Sequence, residues 1–128
     1  TSGALVDEAL RASDACAAEG VAVDVYHLRF LKPLDVEAFV DIARRYAFVL
    51  VAEEGVLVGS VAADLAAAVA ADGRGALALG FVEPPLGQAS REALLVTAGL
   101  SARALAEATL TGLASQASAR GCAETGQR

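Results

Sequence analysis

The 128 residues alternate between helical and extended patterns. That alternation predicts an α/β fold, a three-layer α/β/α sandwich with a mainly parallel sheet. Three observations carry the prediction. Apolar residues recur at i, i+3, i+4 and i+7 in several stretches, as on helix faces buried on one side. Short apolar runs bounded by glycine or acidic residues lie between those stretches. One of them, Phe48 to Ala52, is apolar throughout, as in a strand covered on both faces. The first helical pattern starts at Leu5 with no strand pattern ahead of it, so the sheet is expected to lack its first strand or strands within this chain.

The elements follow in order. Leu5, Val6, Ala9, Leu10 and Ala12 mark a first helix that continues through Ala18 and ends at Gly20, a residue that takes the left-handed cap conformation cheaply. Val21 to His27 alternates Val21, Val23 and Val25 with Ala22, Asp24 and Tyr26, the signature of a strand. After the connection Leu28 to Leu34, Asp35 is a good N-cap, and Leu34 and Phe39 stand at the two positions of a hydrophobic staple. The helix Val36 to Tyr46 places Phe39, Ile42, Ala43 and Tyr46 on one face, with Arg44 and Arg45 in its last turn, where the helix dipole favours cations. Phe48 to Ala52 is the second strand, and Glu53-Glu54-Gly55 marks the loop after it. Val61, Leu65, Ala68 and Val69 stripe a third helix closed by Asp72-Gly73. Ala76 to Leu79 is a third strand. Pro84 and Pro85 break regular structure. Ser90 caps a short helix ending at Gly99, and Ser101 caps a last one, with Leu100 and Leu105 as its staple. The domain is expected to span 1–114, with a polar, small-residue tail over 115–128 that is disordered.

Composition narrows the function. Sixteen acidic side chains against 10 basic ones give a formal net charge of −6, the wrong sign for nucleic-acid binding. No apolar run is long enough to span a bilayer, and no charged-then-apolar signal opens the chain. Alanine supplies 31 of the residues, so the core is expected to be built from small side chains with close backbone approach. Cys16 and Cys122 are too far apart for a metal-binding pair. Cys16 reads as a small buried apolar residue, and the pair fits a reducing, cytoplasmic compartment. The single histidine, His27, reads as a structural hydrogen-bonder at a strand end. This set offers no nucleophile–base pair and no transition-metal site, so no catalytic residue, cofactor ligand or metal ligand is assigned.

Three segments nonetheless sit where ligands bind in open α/β sheets, at the C-terminal ends of strands. Arg29 and Lys32 precede Asp35 and offer either an anion contact or pairs with local carboxylates, the second being favoured. Glu53 and Glu54 are adjacent, and neighbours on a strand point to opposite faces, so a hydrogen-bonding or domain-contact role is favoured over a shared acid/base site. Gly59 and Ser60 lead into a helix, but no Lys follows Gly59 and no G-x-G-x-x-G is present, so this is neither a P-loop nor a dinucleotide fingerprint. Arg29, Lys32, Asp35, Glu53, Glu54, Gly59 and Ser60 together form the set of candidate interdomain or anion contacts.

Arg29-Phe30-Leu31-Lys32-Pro33-Leu34-Asp35 resembles the R-F-V-K-P-L-D motif in the C-terminal domain of the 1-deoxy-D-xylulose-5-phosphate synthase family, transketolase-like enzymes that use thiamine diphosphate. Glu53-Glu54-Gly55 is similar to the family's V-x-E-E segment, and the stretch from Gly80 to its G-L-P-D-x-F region. Ser90, Glu92, Leu94, Gly99 and Leu100 follow the pattern T/S-x-E-E-L…G-L, and Ala102 to Ala108 the final helix. The resemblance covers Gly3 to about Leu110. The sequence departs from the family where Ser60, Val61 and Ala62 follow Gly59 in place of a Gly-Gly-x-G run, at Val82 and Glu83, and at Ala89. Transketolases, with I-K-P-L-D, and the β subunits of 2-oxoacid dehydrogenases, with L-R-T-L-x-P, are related alternatives. A free-standing small-anion-binding module is a third.

The resemblance implies a parent transferase that condenses pyruvate with glyceraldehyde 3-phosphate and releases CO2, in isoprenoid precursor synthesis. Thiamine diphosphate and Mg2+ would be held by other domains, and this one would pack against them and support a homodimer. A separate subunit of a split two-chain enzyme would show the same motifs.

Overall fold

The computed structural model describes residues 1–82 and 88–125, with side chains through residue 119. A single 3₁₀ turn, Gly3–Leu5, leads into α1, Val6–Ala18. The later elements are α2, Val36–Ala43; β1, Phe48–Val56; α3, Val61–Ala71; β2, Gly75–Phe81; α4, Arg91–Thr97; and α5, Ala102–Thr125.

Local signals place the helix ends. Asp35, Ser60 and Ser90 accept at their side chains from the N–H of Ala38, Ala63 and Ala93, each three residues on, the N-cap bond expected of these residue types. At the other end α1, α3 and α4 stop alike. Gly20, Gly73 and Gly99 take positive φ. In α1 the Gly20 N–H donates to Ala17 O and the Val21 N–H to Cys16 O, the paired bonds of a Schellman motif. The helical part of α2 is shorter than its apolar stripe. Arg44 is its C-cap. Arg45 and Tyr46 then donate to carbonyls only three residues back, which tightens the chain into the turn before β1.

β1 and β2 pair in parallel, Phe48 opposite Gly75 through Ala52 opposite Leu79, then Val56 opposite Phe81. Four steps along β1 from Ala52 therefore match two along β2, so β1 bulges across Glu53–Gly55. The glutamate pair expected in a loop is inside this bulged strand. Alternate residues of the sheet feed two cores. Leu50, Ala52, Leu79 and Phe81 meet Leu5, Ala12, Cys16, Leu100, Leu105 and Ala106 from α1, α5 and their approaches. Val49, Val51, Ala76 and Ala78 meet Ala62, Leu65 and Ala66 of α3, with Phe39 of α2 and Leu34 of its staple. The molecule is thus the three-layer α/β/α arrangement expected, with helices on both faces of the parallel pair.

Two expectations are corrected. Val21–His27 alternates in burial as a strand would, but it joins no ladder; the bridge beside it is Ser2 with Leu28, in parallel. A strand exists by pairing. Beyond the cap of α1, the only described backbone to bond this segment is that of Thr1, whose nitrogen donates to Tyr26 O at 2.9 Å. The other correction concerns α5, which does not stop before Ser115 but runs to Thr125. The sequence after Ser101 is rich in alanine and free of proline, which lets helix propensity carry the turn onward. Pro84, Pro85 and Glu83 lie outside the described residues. The stretch Arg91–Ala119 is long and apolar enough to cross a membrane by composition. It is two helices parted at Gly99, and Leu95, Leu100, Leu105 and Ala106 are buried in the core.

Candidate functional site

The bulge in β1 sets the geometry at the C-terminal ends of the strands. It aims Glu53 and Glu54 at different partners, as bulges re-aim side chains next to a strand end. Glu53 Oε2 accepts from the Ala62 N–H at 3.1 Å, inside the first turn of α3. The same turn is capped by Ser60 Oγ, which accepts from the Ala63 N–H at 3.0 Å. Ser60 itself is buried, held where Gly59, at φ +74, turns the chain. Two of the donors that would greet an anion at this helix start are therefore engaged by side chains of the chain itself.

Glu54 turns the other way. Arg91 Nε donates to both of its carboxylate oxygens, at 2.9 and 3.0 Å, and Arg91 Nη2 to Oε2 at 2.6 Å. This fork pins the first residue of α4 to the end of β1. The hydrogen bond to Glu54 holds the Arg91 guanidinium above its ordinary pKa. The two glutamates thus share no proton site, and each serves as a hydrogen-bond acceptor.

Backbone approach is closest beside them. A Cβ on Gly80 would stand 2.8 Å from Gly55 O, and the Leu57 N–H donates to Phe81 O at 2.8 Å just beyond. Only glycine fits at position 80 without moving the bulge.

The other candidates divide. Asp35 is the N-cap of α2, with Oδ1 accepting from the Ala38 N–H at 3.0 Å. Arg29 and Lys32 are exposed, and neither forms an ion pair with a described residue; the expected pairing with local carboxylates is absent among those residues. His27 is exposed as well and makes no side-chain hydrogen bond to a described residue, so its expected structural bond is not formed there. Cys16 is buried, as expected, and burial pushes its thiol pKa up.

Sequence reasoning did not single out two features. The first is a polar network on the outer face of the extended segment. Tyr46 OH donates to Asp24 Oδ2 at 2.6 Å, and Arg45 Nη2 donates to Tyr26 OH at 3.0 Å. The bond to Asp24, with that to Tyr26, raises the Tyr46 pKa. Asp24, Tyr26, Arg45 and Tyr46 come from two distant stretches, so nothing local announced the contact. The second feature is a crown of exposed apolar side chains on the loops that follow the extended segments. Phe30 follows Leu28, Val58 follows β1 and Val82 follows β2, and they are 76 %, 85 % and 78 % exposed. Each was visible as an apolar residue in a loop.

Comparison with known proteins agrees with this architecture. Residues 1–105 match the family model described as transketolase, C-terminal domain. A 1-deoxy-D-xylulose-5-phosphate synthase of Treponema pallidum (strain Nichols) is 34 % identical over 102 residues, covering 78 % of this chain and 16 % of the relative. One from Thermomicrobium roseum is 34 % identical over 114 residues, covering 88 % and 18 %. A solved structure described as a split gene transketolase, inactive beta4 tetramer, superimposes with a TM-score of 0.77 at 30 % identity, covering 88 % of this chain and 37 % of that one. The chain spans about a sixth of the length of these synthases. With four motifs in order, a parallel α/β/α sheet and a family match over most of its length, the chain belongs to the transketolase C-terminal domain family, beside the domains that close 1-deoxy-D-xylulose-5-phosphate synthases.

Proposed function

We propose that this chain is the C-terminal domain of a thiamine diphosphate-dependent transferase of the 1-deoxy-D-xylulose-5-phosphate synthase type, and that its own task is to dock against the other domains. The observation that carries the reading is the crown of Phe30, Val58 and Val82 at the strand ends. Large apolar side chains exposed just past the ends of parallel extended segments offer a surface that another protein surface can cover. Arg29 and Lys32, exposed and without an ion pair among the described residues, stand beside Phe30 and offer charge for the rim of that interface.

The start of α3 offers a diphosphate few free donors. The N–H groups of Ala62 and Ala63 are engaged by Glu53 and Ser60. The described acidic, histidine and cysteine side chains form no group of three that would hold a divalent cation. On this reading, thiamine diphosphate, Mg2+ and the condensation of pyruvate with glyceraldehyde 3-phosphate belong to the rest of the parent protein. A homodimer is the assembly we propose for it, and the cytoplasm its compartment, where a free buried thiol such as Cys16 stays reduced.

The test is made in the parent enzyme. Val58→Asp with Phe30→Ser places charge and polarity in the crown without touching either core. We expect loss of turnover together with faster proteolysis between this domain and its neighbours. A parent that forms no 1-deoxyxylulose 5-phosphate from the two substrates would refute the assigned activity. Unchanged proteolysis and turnover in the double variant would refute the docking role.

A further inference from the structure

Carboxylates and cations near the strand ends are used differently. Glu53 accepts from the Ala62 N–H, Glu54 from Arg91 and Asp35 from the Ala38 N–H. Glu8, on α1, accepts from the Ala102 N–H at 2.7 Å and from Arg11. Each of these acids is engaged by a donor of the chain itself. Arg29 and Lys32 stand apart. Both are exposed, and neither forms an ion pair with a described residue. Every other arginine whose side chain is described has a carboxylate or hydroxyl partner. The stretch from Val25 to Leu34 holds no acid, so nothing within the loop neutralises the two cations.

Phe30, 76 % exposed, lies beside Arg29 and two residues before Lys32. A ring flanked by cations has the composition of an interface anchor with a charged rim. Covering Phe30 takes its neighbours partly out of water, and a cation desolvated without an acceptor is costly. A surface that covers Phe30 must therefore bring acceptors. Carboxylates are the acceptors that also cancel the charge, and an arginine takes one with two parallel bonds. The formal net charge of −6 adds direction. An acidic surface is drawn to this loop and repelled by the molecule as a whole, so it approaches in one orientation.

We propose that the surface seated on the crown is acidic opposite the loop 29–32, with carboxylates that pair with Arg29 and Lys32 around a seat for Phe30, so that charge sets the direction of docking. The proposal rests on the docking reading above and adds the partner's chemistry to it.

The test is made in the parent protein with three pairs of substitutions. Arg29→Glu with Lys32→Glu reverses the charge. Arg29→Lys with Lys32→Arg keeps it. Val58→Asp with Phe30→Ser disrupts the apolar part. Proteolysis between this domain and its neighbours is timed from about 50 to about 500 mM NaCl, a range over which the screening length falls severalfold. The proposal expects the reversed pair to be cleaved at least about fivefold faster than the wild type at low salt, with the difference lost at high salt. The charge-keeping pair should follow the wild type. A reversed pair cleaved like the wild type at every salt concentration overturns the proposal; if the apolar pair is still cleaved faster, docking itself stands, and if it is not, both fall. Equal, salt-independent acceleration in the reversed and charge-keeping pairs also overturns it, because packing and not charge is then at work. So does saturable binding of inorganic phosphate that the reversal abolishes while cleavage stays unchanged, which would make the loop a small-anion site. Should the reversed pair not fold, Arg29→Gln with Lys32→Gln replaces it; faster cleavage at low salt alone is then expected, and a wild-type salt profile overturns the proposal.

Discussion

Single side chains at the strand ends are engaged in holding elements together. Glu53 and Ser60 divide the first donors of α3, each supplying one acceptor. Ser60→Ala is expected to cost about 1 kcal/mol of unfolding free energy, the usual value of an N-cap. Glu53→Ala should cost about as much. Urea denaturation of the single and double variants checks both, and the double is expected to exceed the sum because one turn then loses both acceptors. Asp72 gives the pH counterpart. Arg44 donates to it from Nε at 3.0 Å and from Nη2 at 2.7 Å, and this bonding holds the Asp72 carboxyl below its ordinary value of 3.8. The folded value being the lower one, the pair's contribution is complete above the ordinary carboxylate range. It is lost as the pH falls through the lowered folded value. Comparing stability between pH 6 and pH 2.5 in the wild type and in Asp72→Asn reads the effect, which should shrink in the variant. Residue type alone makes the caps legible: Asp35, Ser60 and Ser90 announce them because a short polar side chain next to an apolar stripe can accept from the free N–H groups of a helix start. The partner of Glu53 was not legible, because it lies nine residues on, across a bulge.

At the scale of elements, apolar spacing was a good guide and end points were a weaker one. The α3 stripe resolves into Ala62, Leu65, Ala66 and Val69, all buried. Leu65→Ala is expected to cost roughly 2–5 kcal/mol, since the sheet above it collapses only in part. Leu10→Ala, on the half-exposed face of α1, should fall within about 0.5 kcal/mol of the parent; thermal or chemical denaturation separates the two. Gly80→Ala tests the bulge, because the new Cβ meets a backbone oxygen that cannot rotate away. A loss of about 1–3 kcal/mol is expected, accompanied by weaker protection of the Leu57 amide in hydrogen exchange. β1 outran its apolar run because pairing with β2 continues past Ala52 to Val56. α5 outran its expected end because alanine offers a helix no reason to stop. Both differences have one cause: local composition shows where a pattern fades, while hydrogen-bond partners decide where an element ends.

Among the described residues, two cores sit on a two-stranded sheet, with one edge of β1 unpaired and exposed apolar side chains past the strand ends. The crown leads to a prediction about association. Adding the remaining domains of the parent should raise the melting temperature of this chain in proportion to the logarithm of their concentration. Val58→Asp should abolish most of that shift while leaving the chain's own melting unchanged, and a scanning-fluorimetry titration measures both.

The sequence by itself determined the class of the fold, the order of its helices, their caps and the family. Those depend on neighbours within a few residues, or on motifs in a fixed order. It also determined that catalytic residue types are scarce, which composition shows directly. Only the tertiary structure decided that Val21–His27 joins no ladder among the described residues, that Glu53 and Glu54 serve different helices, and that Tyr46 meets Asp24. A strand is made by what lies next to it, and a side chain's role by what it reaches. Both are settled between residues far apart in the chain, where local pattern carries no signal.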